Sequence, residues 1–470
     1  MLFPTGEFAI FFLVSFFLCW ISSKYLVLNK IILLALSYLF YSWWDFRFSF
    51  LLAGSSFANY SFAIFLDNTS LVKRRKLILV LAVISNLMLL SYFKYFGFFL
   101  SSFADILGYL GLNREIKIFE VILPVGISFF TFQGISYVVD VYKKEIKAAE
   151  SPIDVLLYNS FFPHLVAGPI VRAKDFIPQL SRKINYEEIP VTRAFILIGL
   201  GLFKKVVLAH VLAVEVVGPA FEAPQTFRTI DLLLGVYSYA FQIYFDFSAY
   251  SDLAIGIAYL LGFEFKRNFD QPYRASSLSD FWRRWHISLS SFLRDYLYIP
   301  LGGSKKSTFH TYRNLVLTML LGGLWHGASW NFVLWGLVHG LGLVCEKEIS
   351  RRRLSLSVKG LPGIFRNIIT FNFICFCWIF FNSETLRIAF DYLVSFGNVG
   401  FNSSLITIQV LLVWIICIVS QSFPKDYLSI LEDRIGKAPV FFQGALLGYW
   451  TVFISALSPG VLSPFIYFKF

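Results

Sequence analysis

Long unbroken apolar blocks dominate the chain: residues 3–20, 31–44, 48–65, 77–100 and 369–381 carry almost no charge. A helix needs roughly 20 mainly apolar residues to cross the hydrocarbon core, so several blocks can span and the shorter ones can tilt or thin the bilayer. In lipid the backbone must satisfy its own hydrogen bonds, which predicts helices throughout. A transmembrane barrel would show alternating segments of about ten residues, and none stands out. The pattern predicts an all-α, polytopic membrane protein of about eleven spans with added re-entrant and interfacial helices. It reads as a single membrane domain over 1–470: N-terminal spans over 1–150, a central core over 151–345 and C-terminal spans over 346–470.

The first block lacks a basic segment before Lys24, carries acidic Glu7 and has no small-residue cleavage pattern, so it reads as a retained helix and not a signal peptide. About five spans end near Val141. Pro152, Pro163, Pro169 and Pro178 then break the pattern, and the apolar piece 155–166 is too short to span. A re-entrant or membrane-surface element is predicted there, with protein or a water-filled cavity covering its backbone. Residues 192–217 and 232–261 are apolar again, interrupted by Lys204-Lys205 and by Asp246 and Asp252. The longest polar insertion, 264–306, contains an expected interfacial helix over 277–298. Phe281, Trp285, Leu289, Phe292 and Tyr296 recur on one face, Asp280 and Arg284 form a flanking pair, and Pro300 with Gly302-Gly303 ends it. A long apolar helix is predicted over 315–344, and further blocks follow near 368–381, 406–419 and 440–457.

Composition agrees with this pattern. Hydrophobic residues make up 57% of the chain and charged residues only 15%, against about 25% in an ordinary soluble domain. The net charge of +12 is gathered in runs such as Lys73-Arg74-Arg75-Lys76, Lys143-Lys144 and Arg351-Arg352-Arg353. Such runs mark cytoplasmic loops. Counting back from Lys73–Lys76 places the N-terminus outside. Charge that rims apolar spans and forms no stripe on a soluble domain argues against nucleic acid as a partner. The five cysteines have neither zinc-site nor disulfide spacing, and all but Cys345 sit inside apolar blocks, so they read as packing residues.

Ionisable groups at membrane depth are costly and mark candidate sites. His326 lies near the middle of the predicted helix 315–344, and a neutral imidazole there can take a proton as a general base. A packing role stands beside that reading, because Gly323 and Gly327 frame His326 as a small-xxx-small pair. His339, about 220° round the same predicted helix, cannot easily share a site with it. Asp246 and Asp252 could orient an imidazole or bind a cation, or be satisfied by neighbouring Ser and Tyr hydroxyls. Arg283 and Arg284, beside His286, could hold a phosphate or anchor the chain at the headgroups. No serine-hydrolase elbow, zinc-protease motif, phosphate loop or dinucleotide fingerprint is present.

Long motifs in order along the chain carry a family likeness. They include Gln242-Ile243-Tyr244-Phe245-Asp246-Phe247-Ser248, Asp280-Phe281-Trp282-Arg283-Arg284-Trp285-His286, Leu293-Arg294-Asp295-Tyr296 and Gly323-Leu324-Trp325-His326-Gly327-Ala328-Ser329-Trp330-Asn331. Upstream stand Leu123-Pro124-Val125-Gly126 and Ala167-Gly168-Pro169, and the tail holds Ser463-Pro464-Phe465-Ile466. Together they resemble the membrane-bound O-acyltransferase family in its alginate O-acetyltransferase branch. The resemblance implies His326 as catalytic base and His286 as a second site histidine. It makes Arg283, Arg284, Arg294, Trp325, Asp252 and Asn331 candidates for binding the donor or lining the site. It implies a cytoplasmic acyl thioester donor, acetyl-CoA or another, with no bound cofactor or metal. The expected acceptor is a cell-surface or periplasmic polysaccharide, alginate-like, reached directly or through a periplasmic SGNH-type acetyltransferase partner. D-alanyl or other acyl transfer to teichoic acid or peptidoglycan is the alternative within the family. A transporter or flippase, or a scaffold subunit, is the alternative outside it. His164 departs from the family pattern, which carries Gln after that proline, and takes no catalytic role.

Overall fold

The computed structural model describes residues 3–112, 121–352, 363–400, 402–424, 426–458 and 465–466. Every regular element among them is helical. Arg353, Ser463 and Pro464 lie outside the described residues. The chain forms two compact units, one of residues 1–190 with 257–266 and one of 191–256 with 267–470.

The first unit holds α1 (Gly6–Ser22), α2 (Leu26–Ser42), α3 (Arg47–Asp67), α4 (Val72–Leu90), α5 (Phe96–Tyr109), α6 (Ile127–Tyr142) and α7 (Pro152–Ser160). The apolar blocks dictate these helices, and capping residues set several starts: Thr5 accepts the Phe8 N–H at α1 and Ser151 the Ile153 N–H at α7. A five-residue π segment joins α4 to α5, so the block 77–100 lies on one continuous helical run, Val72–Tyr109. Polar clamps fix this unit. Asn59 on α3 and Asn86 on α4 exchange amide hydrogen bonds of 3.2 and 2.7 Å, and Lys30 meets Asp154 at 2.6 Å. The predicted non-spanning piece 155–166 is α7 followed by the single turn Phe162–Leu165, and its residues are buried almost throughout.

The second unit contains α8 (Val191–Phe203), α9 (Thr229–Leu260, whose last turn passes into the first unit), α10 (Leu278–Arg284), α11 (Ile287–Leu293), α12 (Thr308–His326), α13 (Trp330–Arg351), α14 (Gly363–Asn382), α15 (Leu386–Ser395), α16 (Ile408–Ser420), α17 (Tyr427–Gly436) and α18 (Val440–Leu457). Among the described residues, five helical runs are long and apolar enough to cross a membrane, with α1, α2 and α16 as shorter apolar helices. Many large apolar side chains on these helices are exposed, for example Ile10, Leu13, Ile408 and Val452. Lipid is the natural cover for such a surface. The four described cysteines in apolar blocks are buried and unpaired, and Cys345 is exposed.

Two predicted elements are corrected. The single helix expected over 315–344 is a hairpin of α12 and α13, because Gly327 is extended and the Ser329 hydroxyl accepts the Asn331 N–H, starting a new helix. The interfacial helix expected over 277–298 is broken into α10, α11 and a π segment over Arg294–Tyr298. Its aromatic face turns inward: Phe281, Trp285, Leu289 and Phe292 are all buried. The Asp280–Arg284 pair forms as expected, at 2.9 Å.

The hairpin closes on glycines, as the small-xxx-small spacing predicts. A Cβ on Gly336 would stand 2.4 Å from the Met319 carbonyl oxygen and 2.9 Å from Leu320 Cα, and one on Gly323 would stand 2.2 Å from the Phe332 carbonyl. Backbone cannot yield as a flexible side chain can. Gly336→Ala is therefore expected to destabilise the protein by about 1–3 kcal/mol, read as a lower thermal unfolding midpoint in detergent. Gly54→Ala, which meets nothing within 4 Å, should be neutral. Equal midpoints for the two variants would refute the close packing.

Candidate active site

Folding brings the two motif histidines to one place. His326 ends α12, is 4% exposed, and is ringed by Trp325 at 5.1 Å, Trp335 at 5.2 Å and Phe381 at 5.2 Å between ring centroids. His286 is fully buried, and the Trp325 ring lies 6.1 Å from it. The Trp325 indole thus touches both imidazoles, which are forty positions apart in sequence. The break between α12 and α13 makes this possible: it leaves His326 at a helix end, not in mid-helix.

His286 is held in a left-handed conformation, with φ of 42°. Such a backbone costs about 1–3 kcal/mol for a residue other than glycine and persists only where neighbours impose it. Asn268 imposes it. The Asn268 carbonyl accepts the Ile287 N–H at 2.8 Å, and its side-chain Oδ1 accepts the Ser288 N–H at 3.1 Å and the Ser288 hydroxyl at 2.9 Å. The same Oδ1 lies 3.2 Å from His286 Nδ1. Because Oδ1 can only accept, Nδ1 carries the proton and Nε2 keeps its lone pair. Nε2 is buried with no hydrogen-bond partner among the described residues. Burial pushes this imidazole down to about 3, so it stays neutral. Asn268 carried no signal in the sequence: a lone Asn in a polar loop resembles any turn residue.

The other candidates are distributed more widely. Asn331 is buried one residue into α13 and donates to the Ser383 carbonyl. Arg283 is exposed. Arg284 is engaged by Asp280 at 2.9 Å and lies 4.0 Å from Asp270. Arg294 pairs with its neighbour Asp295 at 2.6 Å. Asp252 binds Lys204 at 2.6 Å, and Asp246 binds Lys205 at 2.6 Å while accepting the Ile466 N–H. A lysine from outside α9 thus pairs with each of these carboxylates. The lysines that seemed merely to interrupt an apolar block are the counter-ions. His339 also changes standing. On α13 it packs its ring 4.7 Å from Trp335, the same indole that contacts His326 from α12, so the angular argument against a shared site falls with the single helix. In the first unit, His164 is buried, donates its Nε2–H to the Tyr158 carbonyl at 2.8 Å and packs among Phe161, Phe176 and Phe265.

Comparison with known proteins gives a consistent picture. The model of the membrane-bound O-acyltransferase family matches residues 145–388. A probable alginate O-acetylase of Pseudomonas aeruginosa is 40% identical over 85% of this chain and 76% of its own length. A peptidoglycan O-acetyltransferase of Helicobacter pylori is 37% identical over 86% of this chain and 80% of its own. A teichoic acid D-alanyltransferase of Streptococcus thermophilus is 30% identical over 55% of this chain and 68% of its own.

Proposed function

This chain belongs to the membrane-bound O-acyltransferase family, and on that premise we propose that it moves an acetyl group from a cytoplasmic thioester to a hydroxyl of a cell-surface or periplasmic polysaccharide. It is a multi-pass membrane protein and an O-acyltransferase acting on polysaccharide. The finer reading names acetyl-CoA, or another acyl thioester, as donor. It places the protein in the bacterial cytoplasmic membrane with its N-terminus outside. The acceptor is alginate-like, reached directly or through a periplasmic SGNH-type acetyltransferase partner. Peptidoglycan is the second acceptor in view, on the strength of the Helicobacter pylori relative.

The observation that carries the mechanism is the pair of buried imidazoles on one indole, Trp325. His326 takes the proton of the attacking hydroxyl as its oxygen bonds to the acyl carbon. The C–S bond then breaks and the proton passes to the departing thiolate, so acyl ester and free thiol leave in balance. His286 stays neutral, so it does not carry the proton. Its Nδ1–H, held by the Asn268 Oδ1 at 3.2 Å, fixes the ring against the Trp325 indole that also packs on His326. Low polarity around both rings strengthens each of these contacts. The lysine pairing of Asp246 and Asp252 removes the free buried carboxylates on which an ion-coupled transporter would draw.

Purified protein in proteoliposomes, given acetyl-CoA and an alginate oligosaccharide, is expected to release free thiol in step with ester formation. A transporter or a scaffold would release none. Thiol release only when peptidoglycan fragments replace alginate would move the acceptor and keep the chemistry.

A further inference from the structure

An apolar groove of about 490 Å³ lies between α8, α17 and α18 in the second unit. Phe195, Leu200, Leu431, Ile435 and Leu447 are among its walls, and exposed side chains such as Phe195 and Leu431 put it on the lipid-facing surface. Of its polar lining, Gln443 is committed, since its amide donates to the Ala438 carbonyl at 2.9 Å. The Trp450 indole N–H marks the far end, where it donates to the Gly199 carbonyl at 3.1 Å. The groove exists because α18 stands off from its neighbours. This 18-residue span has Ile454 as its one buried residue. Where it passes the groove it carries Gly444, and a Cβ built there would meet nothing within 4 Å. Such a gap forfeits the dispersion contacts of its walls unless something fills it. Water finds few polar partners there, whereas hydrocarbon needs none.

The two ends of the groove differ. The helices α8 and α18 run in the same direction: Gly436, just before α18, lies against Thr192 at the start of α8, and Trp450 meets Gly199 further along both. At the starting end Arg193 pairs with Glu432 at 2.7 Å, and Lys437 pairs with Asp433 at 2.7 Å. Arg434 is exposed and has no acidic partner among the described residues. Three cations therefore stand with two carboxylates, which leaves one positive charge over. Glu432 engages Arg193 through Nη2, one of the sites on a five-donor guanidinium, and the Arg193 side chain is 36% exposed. Donors remain there for a second anion.

We propose that this groove is a phospholipid site: one acyl chain lies along it, and the phosphate of an anionic headgroup sits at the end marked by Arg193 and Arg434. The length agrees. From Val440 to Trp450 the helix rises about 15 Å, the reach of roughly twelve extended methylene carbons. Charge selects the headgroup, because a surplus cation at the membrane surface favours an anionic lipid over a zwitterionic one. The site shares no residue with the histidine site and does not depend on the acyltransferase reading.

The test uses full-length protein in mild detergent, with phosphatidylglycerol and phosphatidylcholine of the same acyl chains as probes. Native mass spectrometry of the wild type is expected to show one retained phosphatidylglycerol, bound at least tenfold more tightly than phosphatidylcholine. Added phosphatidylglycerol should raise the unfolding midpoint, as any ligand of the folded state does, and salt should shrink its advantage over phosphatidylcholine. Gly444→Leu places a side chain in the open groove without meeting backbone. It is expected to lose the retained lipid and the midpoint response while its lipid-free midpoint stays at or above that of the wild type. Arg193→Gln/Arg434→Gln leaves the groove open and should erase the tenfold preference. Equal binding of the two lipids by the wild type, or an undiminished phosphatidylglycerol response in Gly444→Leu, would overturn the proposal. So would a lipid-free wild-type dimer that Gly444→Leu splits, which would give the groove to a second copy of the chain.

Discussion

His326→Ala is expected to abolish acyl transfer while the protein still inserts and folds. A positioned general base contributes about 10²–10⁴-fold to rate, so residual thiol release should fall below about 1% of wild type. The side chain sits at the turn of the α12–α13 hairpin among Trp325, Trp335 and Phe381, and the hairpin itself is closed by the glycines of both helices. Loss of the imidazole therefore removes the base without removing the contacts that hold the two helices together. His326→Gln keeps polarity and much of the volume but offers no basic nitrogen, and it should be as inactive as the alanine variant. The measurement is thiol release per mole of folded protein, with the unfolding midpoint taken alongside. Transfer at the wild-type rate in either variant would refute the assignment. A loss of activity matched by a loss of folded protein would return His326 to a packing role.

The second large effect concerns folding. Asp246 and Lys205 form a 2.6 Å ion pair with both side chains only 4% exposed. Asp246→Ala leaves an ammonium in the protein interior without its counter-ion, a change that costs about 3–5 kcal/mol. The expected result is little folded protein in the membrane and a sharply lower midpoint. Lys205→Met/Asp246→Leu removes both charges and should restore most of the stability, since the desolvation of a buried pair offsets much of its attraction. If the double variant were as unstable as the single one, the pair would owe its importance to something other than charge balance. Asp252 with Lys204 has side chains 19% and 15% exposed, and the same substitutions there should cost less.

How far the site was legible can be argued from particular residues. His326 and His286 stood out because an ionisable group in an apolar or aromatic run is rare enough to be noticed, and the long motifs around them fixed the family. Asn268, which sets the tautomer and backbone of His286, could not be seen, because its role lies in four contacts to residues about twenty positions away. Lys204 and Lys205 were read as interruptions for the same reason: their partners Asp252 and Asp246 lie on another helix. The three arginines were weighted by charge alone, and charge did not show that neighbouring carboxylates already engage Arg284 and Arg294.

Sequence by itself determined the all-helical membrane architecture, the non-spanning piece at α7 and the two histidines, because hydrophobic block length and isolated polar residues are properties of the chain read in order. It also held the stop between α12 and α13, in Gly327 and Ser329, although apolar continuity over 315–344 concealed it. Only the tertiary structure decided that Trp325 joins both imidazoles, that His339 shares Trp335 with His326, and which lysine answers which carboxylate. Those pairings depend on how separate helices face one another. That is settled by packing and by the cost of leaving a buried charge or polar atom unmatched, neither of which is written in any single stretch of sequence.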